Sequence, residues 1–378
     1  MLTVDQQLRY ARHIALEGFG FQAQQTLLKS SVLLVGAGGL GSPATIYLAA
    51  AGIGRIGIID DDVVDLSNLQ RQIIHRTCDT GVTKVESAER AILDCNPGIQ
   101  VDTFDERFTE SNARELVGSY DLVIDGADNF PTRYLINDAA YLEKRPVVHG
   151  SIYHFEGQAA VFNPPAGPCY RCIFPDPPKP GTVPSCAEAG VLGVLPGIIG
   201  VVEATEAIKI LTGIGEPLIG RLLTYDALEM RFRTLKINRS TRCPLCGDDP
   251  TITEAKTIEW ACDVGDLNVP QMTVDAYTQL RQSDEKHFLL DVREAHEIEA
   301  GNIAGHHHIP LRQLEERIGE LAAHKDDLVV CQCQSGWRSQ KAAEFLRNNG
   351  FTKAVNLSGG YLAWLQSIHN KTTTEPPH

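Results

Sequence analysis

A strand followed at once by a glycine-rich turn, near the N-terminus, constrains this chain more than any other feature. Residues 31–35, of which the last four are apolar, are typical of a buried strand, and the turn over 36–41 holds four glycines. A helix is predicted over 42–51, and a second strand over 55–59 leads into Asp60. A strand, a glycine turn, a helix and a strand ending in an acid make up a dinucleotide-type βαβ unit. The sequence therefore predicts a nucleotide-binding sheet.

Strand and helix patterns continue to alternate beyond this unit. They predict an α/β fold, a doubly wound and mostly parallel sheet with a Rossmann-like nucleotide site. Residues 174–189 are rich in proline and glycine, so we expect a long mobile loop there. An amphipathic helix is predicted over 196–211. Further strands are predicted at 99–104, 122–125, 147–150 and 158–162.

The length of 378 residues exceeds one ordinary domain, so two are predicted. The first covers residues 1–247, a linker follows over 248–269, and a smaller α/β domain covers 270–368. Residues 369–378 are predicted to be a disordered tail. The predicted strands of the smaller domain are 288–292, 328–331 and 354–357, and its predicted helices are 274–281, 339–348 and 360–367.

The charge balance and the cysteine content limit the possible partners. The chain carries 48 acids against 34 bases, a formal net charge of −14. Because phosphate contacts need clustered Lys and Arg, a nucleic-acid partner is not expected. No membrane span and no signal sequence are predicted, so we expect a cytoplasmic protein. In that compartment ten cysteines indicate metal ligands, reactive thiols or core positions rather than disulfides.

The glycine turn suits a phosphate group, and the residues after it suit a triphosphate. Glycines let the backbone approach phosphate at a helix N-terminus, but nicotinamide-dependent oxidoreductases share this motif. Arg71 and Lys84 would neutralise a triphosphate, which hydride transfer does not require. Asp60 is placed to bind a ribose hydroxyl. Asp128 follows a strand and is predicted to bind Mg²⁺; the alternative is that it caps a helix. The glycines concerned are Gly36, Gly38, Gly39 and Gly41.

These motifs resemble the ubiquitin-activating superfamily, in particular the adenylyltransferases of molybdopterin and thiamine biosynthesis, over about residues 8–246. The resemblance implies that the matching residues bind ATP and Mg²⁺, and that the substrate is the C-terminal Gly-Gly carboxylate of a small ubiquitin-like sulfur-carrier protein. It also implies a homodimer, with Arg12 matching an arginine that reaches the partner subunit's nucleotide. Besides the glycines and Asp60, the matching residues are Ser67, Asn68, Leu69, Gln70, Arg71, Lys84, Asp128 and Asn129.

Two Cys-x-x-Cys pairs predict a zinc site. They are Cys169 with Cys172 and Cys243 with Cys246. Each spacing places two thiolates on one turn, and four thiolates make a closed, structural, tetrahedral Zn²⁺ site. Two redox pairs or plain core cysteines are the alternative. The resembled family carries its zinc at these positions.

Cys333 lies in a loop suited to a reactive thiol. The loop follows an apolar strand and precedes a helix, so N–H groups of residues 334–339 are expected to surround the sulfur. Such a ring and a helix N-terminus lower a thiol pKa and hold anionic sulfur. Four residues separate Cys333 from Arg338, one fewer than in the phosphatase loop. The shorter ring suits a single sulfur atom rather than a phosphate.

The C-terminal domain resembles the rhodanese sulfurtransferases, which implies that Cys333 carries a persulfide. Gln334 departs from the basic residue of many members, so the sulfur donor stays open between thiosulfate and a cysteine desulfurase. The histidines at 306–308 are interpreted as loop structure rather than metal ligands, and Cys331 as strand core. Besides the Cys333 loop, the matching segments are 291–294, 301–305, 309–311 and 357–361.

Cys186 lies in the proline- and glycine-rich segment. The resemblance implies a thiol that attacks the activated carrier or its acyl disulfide; the alternative is an ordinary loop cysteine. The function predicted is ATP-dependent adenylation of the carrier followed by sulfur transfer from Cys333. An independent sulfurtransferase or docking domain and, less favoured, a nicotinamide-dependent oxidoreductase are the alternatives. The predicted catalytic residues are Cys333, Cys186, Arg338, Arg71 and Asp128.

Overall fold

The computed structural model describes residues 2–162, 164, 167–178, 190–258 and 269–373. They form two compact units, the first ending at residue 258 and the second spanning 269–373. Residues 248–258 were predicted as linker, yet Ala255 is buried in the core of the first unit and Ile258 packs against it. No helix of the described residues is long and apolar enough to cross a membrane.

The first unit contains nine α-helices and eight strands among its described residues. The helices are α1 (Val4–Arg9), α2 (Ala11–Ile14), α3 (Gly20–Leu27), α4 (Gly41–Ala51), α5 (Lys84–Cys95), α6 (Ala113–Gly118), α7 (Phe130–Leu142), α8 (Tyr170–Ile173) and α9 (Leu195–Thr212). The strands are β1 (Ser31–Val35), β2 (Arg55–Ile59), β3 (Gln100–Phe104), β4 (Leu122–Asp125), β5 (Val147–Tyr153), β6 (Glu156–Phe162), β7 (Arg221–Asp226) and β8 (Arg231–Lys236).

The eight strands form one sheet in the order β3-β2-β1-β4-β5-β6-β7-β8. The pairs from β3 to β5 are parallel, and the pairs from β5 to β8 are antiparallel. The mostly parallel, doubly wound sheet is therefore confirmed, and β7 and β8 extend it beyond the prediction. From β1 the chain adds β2 and β3 on one side of β1, and then returns to add β4 on the other side. A ligand crevice is expected at such a switch point, outside the carboxyl ends of the strands.

Both faces of the sheet are covered, which explains why β1 is apolar and buried from Val32 to Val35. Val32 and Leu34 belong to one hydrophobic cluster, whereas Leu33 and Val35 belong to the other. The first cluster includes residues of α3, α4 and α9, and the second includes residues of α6 and α7. The sheet is thus held between two helical layers, and its carboxyl edge supports the loops described below.

A buried carboxyl group lies inside this core. Glu203 of α9 is fully buried, and neither of its side-chain oxygens has a hydrogen-bond partner among the described residues. A Cβ atom at Gly150 would lie 2.6 Å from its carboxyl carbon, so the carboxyl packs directly against β5. Burial raises the pKa of Glu203 well above its ordinary range; the Asp125 charge adds to this and Arg133 opposes it. Burial therefore favours the protonated form of this carboxyl in the folded protein.

We expect Glu203→Gln to raise the thermal midpoint above pH 6, by about 2–4 °C for each kcal/mol gained in a domain of this size. Because the pKa of Glu203 is raised in the folded state, its contribution to the free energy of unfolding is full below its unfolded-state pKa of about 4.3. That contribution is lost as the pH rises toward the folded-state pKa. Glutamine has no proton to lose. Thermal unfolding between pH 5 and 8 checks this. Glu206→Gln is the control. The Glu206 carboxylate accepts hydrogen bonds from Lys209 and from the Leu218 amide, so its replacement should lower the thermal midpoint instead of raising it.

The second unit contains a five-stranded parallel sheet in the order β11-β10-β12-β13-β9. Its strands are β9 (Gln271–Met272), β10 (His287–Asp291), β11 (His306–His308), β12 (Leu328–Gln332) and β13 (Ala354–Leu357). Its α-helices are α10 (Val274–Gln282), α11 (Ala295–Ala300), α12 (Leu314–Arg317), α13 (Trp337–Asn348) and α14 (Gly360–Thr373).

Two expectations for this unit are wrong. The histidines at 306–308 form a strand, not a loop, because their backbone pairs with residues 289–291 of β10. Pairing along a buried neighbour outweighs the weak strand preference of the side chains. Residues from 369 were predicted as a disordered tail, but α14 continues to Thr373. Residues 374–378 lie outside the described part of the chain.

Candidate active sites and a four-cysteine cluster

The glycine turn connects β1 to α4 in a very close fold. Gly36 has a positive φ of +95°, and a Cβ atom there would lie 2.8 Å from the Gly126 carbonyl oxygen. A Cβ atom at Gly41 would overlap the Gly36 carbonyl oxygen. Gly38 and Gly39 are less crowded, since the atoms nearest to such a Cβ are side-chain atoms. The turn therefore places bare backbone at the N-terminus of α4, which fits a phosphate cradle.

Asp60, at the end of β2, holds this turn in place. Its carboxylate accepts hydrogen bonds from the amides of Ala37, at 2.8 Å, and Asp62, at 2.9 Å. Burial raises the pKa of Asp60, while Lys84 and the two amides oppose that shift. The predicted acid is therefore at the turn, and it orders the backbone there.

The two predicted cations lie beside the same turn. Lys84 Nζ is 2.7 Å from Asp62 Oδ2 and 3.8 Å from Asp60 Oδ1, and its side chain is buried. The Arg71 side chain approaches Gly39, and its Nη1 donates to the Ser67 carbonyl at 3.1 Å. The structure thus brings positive charge to the phosphate cradle from two separate segments.

Four further predicted residues lie in or next to a short 3₁₀ turn, Leu66–Asn68. The amide and the hydroxyl of Ser67 both donate to Asp65, at 2.8 and 2.5 Å, and these bonds lower the Asp65 pKa. The Asn68 side chain accepts from the Asp65 amide at 3.1 Å. Leu69 and Gln70 follow directly. Asp65, which the sequence reasoning did not single out, shapes this segment.

The loop after β4 carries an exposed carboxylate. Asp125 is buried; it accepts from the Ala127 amide at 3.2 Å and bonds His149 Nδ1 at 2.6 Å. Asp128 follows and is exposed. Asn129, not Asp128, caps α7, because its side chain accepts from the amide at position 132. Asp128 is therefore not the helix cap, and an exposed carboxylate beside the crevice fits the donor set that Mg²⁺ prefers.

Two buried side chains support these loops and were missed. His75 Nε2 lies 3.0 Å from the Ala37 carbonyl oxygen, and burial lowers the His75 pKa. Arg133 donates to the Ala127 carbonyl through Nε and Nη2. No motif marks either residue: His75 contacts a carbonyl 38 residues away, and Arg133 contacts one six residues before it. Arg12 is exposed on α2.

The four predicted metal cysteines form one cluster. The sulfur of Cys169 lies 3.9 Å from that of Cys172 and 3.5 Å from that of Cys243, and Cys172 and Cys246 are 3.2 Å apart. All four sulfur atoms lie within 4.8 Å of one another. A tetrahedral zinc–thiolate centre has sulfur atoms about 3.8 Å apart. The cluster could therefore bind a metal ion, and its donors fit zinc.

The Cys333 thiol lies at the end of β12, almost completely buried. Its sulfur accepts from the Gly336 amide at 3.1 Å and from the Ser339 hydroxyl at 3.3 Å. The sequence predicted amide donors but not this hydroxyl. Gly360 is required behind the loop, because a Cβ atom there would overlap the Cys333 carbonyl oxygen. Both donors point at sulfur, which suits a thiolate.

A buried ion pair supports this loop from below. Arg293 and Asp291 are both fully buried and 2.8 Å apart, and the Gln332 side chain also donates to Asp291. Arg293 also donates to the Gln334 side chain at 3.3 Å and lies over the Tyr361 ring, 4.3 Å from its centroid. Gln334, which stands where many rhodaneses carry a basic residue, therefore links the loop to the buried Arg293–Asp291 pair by a hydrogen bond.

Arg338, the predicted loop arginine, is engaged by a carboxylate. Its two terminal nitrogens each lie 2.6 Å from an oxygen of Glu297. The sequence reasoning missed Glu297. Cys331 is strand core as predicted, and burial raises its pKa. Cys186 lies outside the described residues.

Comparison with known proteins finds a family match in each of the two units. A model described as "ThiF family" matches residues 10–245, and one described as "Rhodanese-like domain" matches 273–367. Adenylyltransferase and sulfurtransferase MOCS3-1 of Zea mays is 42% identical over 97% of this chain and 83% of its own length. The probable adenylyltransferase/sulfurtransferase MoeZ of Mycobacterium tuberculosis is 44% identical, with 97% and 95% covered.

Two further comparisons concern the first unit. The sulfur carrier protein adenylyltransferase of Thermus thermophilus is 52% identical over 67% of this chain and 96% of its own length. The solved structure of E. coli MccB has a TM-score of 0.58 and 21% identity, covering 64% of this chain and 73% of that one. At that identity the likeness concerns the fold alone.

Proposed function

The chain belongs to the ThiF family, and from that premise we propose that it activates the C-terminal glycine of a small ubiquitin-like sulfur carrier and converts it to a thiocarboxylate. It is an enzyme, an adenylyltransferase and sulfurtransferase, as its full-length relatives are. The proposed division is adenylation by residues 1–247 and sulfur supply by residues 270–368. The observation that carries the proposal is a loop with two donors on the Cys333 sulfur, on the same chain as a glycine turn that fits phosphate.

In the first step, the glycine carboxylate of the carrier attacks the α-phosphate of ATP and pyrophosphate leaves. The bare backbone of the glycine turn suits the phosphates, and Arg71 and Lys84 balance the negative charge that develops. The predicted role of Asp60 at the ribose and those of Ser67, Asn68 and Gln70 belong to this step. Bound at Asp128, Mg²⁺ would supply further charge neutralisation. The product is an acyl-adenylate whose leaving group is AMP.

In the second step, the terminal sulfur of a Cys333 persulfide attacks the acyl carbon and AMP leaves. The carrier is then joined to Cys333 through an acyl disulfide. The Cys186 thiolate attacks the Cys333 sulfur, the acyl disulfide breaks, and the carrier leaves as a thiocarboxylate. A cellular thiol then reduces the Cys186–Cys333 disulfide. A persulfide is a strong nucleophile at neutral pH, whereas the free carboxylate is inert until it is adenylated.

The assembly proposed is a homodimer in which Arg12 of each subunit reaches the partner's nucleotide. Its support is the exposure of Arg12 on α2 and the family membership. The sulfur donor is thiosulfate or a cysteine desulfurase, and the pathway is molybdopterin, thiamine, cysteine or tRNA thiolation.

ATP–pyrophosphate exchange tests the activation step. A small ubiquitin-like carrier ending in Gly-Gly is expected to start exchange, and the same carrier without its last glycine is the matched control. Exchange that proceeds equally with the shortened carrier, or a lack of exchange with every such carrier, contradicts the proposed substrate.

Zinc binding gives a separate prediction. The purified protein should hold about one zinc per chain, and Cys172→Ser should lose it and lower the thermal midpoint by more than about 10 °C. The reason is that the cluster joins two segments of the first unit that are distant in sequence. Metal analysis and thermal unfolding check both parts. Cys78→Ser, at an exposed cysteine outside the cluster, should change neither. Freshly purified protein without zinc contradicts the assignment.

A further inference from the structure

The loop from Cys333 to Arg338 has one cationic side chain, and its charge is already matched. Arg338 and Glu297 form a bidentate pair with both nitrogen–oxygen distances at 2.6 Å. The two side chains are only 18% and 19% exposed. A bidentate guanidinium–carboxylate pair is among the strongest hydrogen-bonded contacts. Arg338 therefore does not present a free positive charge to an anion that enters the loop.

Glu297 is itself held in position by its helix. It is the third residue of α11, and its carboxylate also accepts from the Glu294 amide at 2.9 Å in a capping box. Burial raises the pKa of Glu297, but the bonds from Arg338 and from the Glu294 amide outweigh it and hold the pKa below its usual value. The carboxylate is thus ionised at neutral pH, and the pair persists there.

The neighbouring cations are engaged as well. Arg293 is bonded to Asp291 in the buried pair below the loop. Arg312 pairs with Glu294 at 3.0 Å. Lys341, on α13, lies over the Trp337 ring at 3.8 Å from its centroid. The charges of the three arginines around Cys333, Arg338 included, are therefore each balanced by a carboxylate, and the donors of the loop are aimed at the sulfur.

The balanced charge of the loop affects which sulfur donor can load Cys333. Thiosulfate is a dianion, and its sulfur transfer releases sulfite, so a site that uses it benefits from unpaired positive charge. In transfer from a persulfide, the Cys333 thiolate attacks the outer sulfur of R–S–SH. The donor S–S bond breaks, R–S⁻ leaves, and Cys333–S–SH forms, so one sulfur atom moves without net oxidation. That reaction brings no oxyanion into the loop.

We propose that Glu297 is a specificity-determining residue of sulfur loading, which disfavours thiosulfate by cancelling the charge of Arg338 and leaves the loop suited to the persulfide of a protein thiol. The inference rests on the proposed function, in which Cys333 carries the persulfide. Glu297 acts through Arg338 rather than by touching the donor.

The test variant is Glu297→Gln. Cys333 is loaded with sulfur in the absence of ATP and carrier, and intact mass follows the loading as a gain of about 32 Da. The donors are thiosulfate and the persulfide of 2-mercaptoethanol, whose organic part is uncharged. The KM for thiosulfate should fall roughly tenfold because Arg338 is released, and salt should reduce this gain. Loading from the 2-mercaptoethanol persulfide, which reacts through its neutral form R–S–SH, should stay within about twofold, because no oxyanion meets the released charge.

Two matched variants separate charge from packing. Glu297→Asp keeps the negative charge, so its KM for thiosulfate should stay close to that of the parent. The double variant Glu297→Gln with Arg338→Gln has a neutral loop again, and the gain should disappear. An unchanged KM for thiosulfate in Glu297→Gln, or an equal change with both donors, overturns the inference. If the parent protein loads Cys333 from neither donor, the proposed sulfur-transfer step fails as well.

Discussion

Cys333→Ala is expected to keep carrier-dependent ATP–pyrophosphate exchange and to lower thiocarboxylate formation on the order of a thousandfold or more. Every residue proposed for adenylation lies in the first unit, whereas Cys333 lies in the second. Its sulfur is the one that Gly336 and Ser339 hold with two donors. Intact mass of the carrier measures the product, because replacing one oxygen by sulfur adds about 16 Da.

The control for this variant is Cys78→Ala, which removes an exposed thiol from the first unit. It should form product at the parental rate. Thiocarboxylate made by Cys333→Ala at that same rate would mean that the second unit does not supply the sulfur. The alternative of an independent sulfurtransferase or docking domain would then be preferred.

Asp128→Ala is expected to lower carrier-dependent exchange by roughly two to three orders of magnitude. Asp128 is an exposed carboxylate in the loop after β4, beside the glycine turn, and Asn129 rather than Asp128 caps the next helix. Removing it should therefore cost charge neutralisation at the phosphates and leave the helix intact. Persulfide loading of Cys333, in the other unit, should be unaffected.

Asp105→Ala is the matched control, since Asp105 is also exposed and follows β3 at the same edge of the sheet. Two strands, β2 and β1, separate it from the crevice. It should retain parental exchange. Equal exchange by Asp128→Ala and Asp105→Ala would contradict the Mg²⁺ assignment and would leave charge neutralisation to Arg71 and Lys84.

Local patterns in the sequence were enough for the features that depend on consecutive residues. The phosphate cradle lies within residues 36–41, and its close fold needs glycine at Gly36 and Gly41. The zinc prediction needed only two Cys-x-x-Cys pairs, and the four sulfur atoms do lie together. The Cys333 loop was likewise visible, because a strand, a cysteine and a helix follow one another directly.

Features that depend on distant residues were not predictable. Glu297 and Arg338 are 41 positions apart, and His75 is 38 from the carbonyl it contacts. Strand β8 was missed because all six of its residues are exposed, so no apolar alternation marks it. The strand at 306–308 depends on pairing with β10, which the histidines themselves do not indicate. Tertiary contacts rather than local preference decide each case.

Isotope transfer tests the central claim most directly. Cys333 of the parent protein is loaded with ³⁴S from a labelled persulfide, free donor is removed, and a single turnover is started with ATP and carrier. If the Cys333 persulfide is the sulfur source, the carrier gains about 18 Da instead of about 16 Da and the label leaves Cys333. A carrier that gains about 16 Da while Cys333 keeps its label would contradict the mechanism.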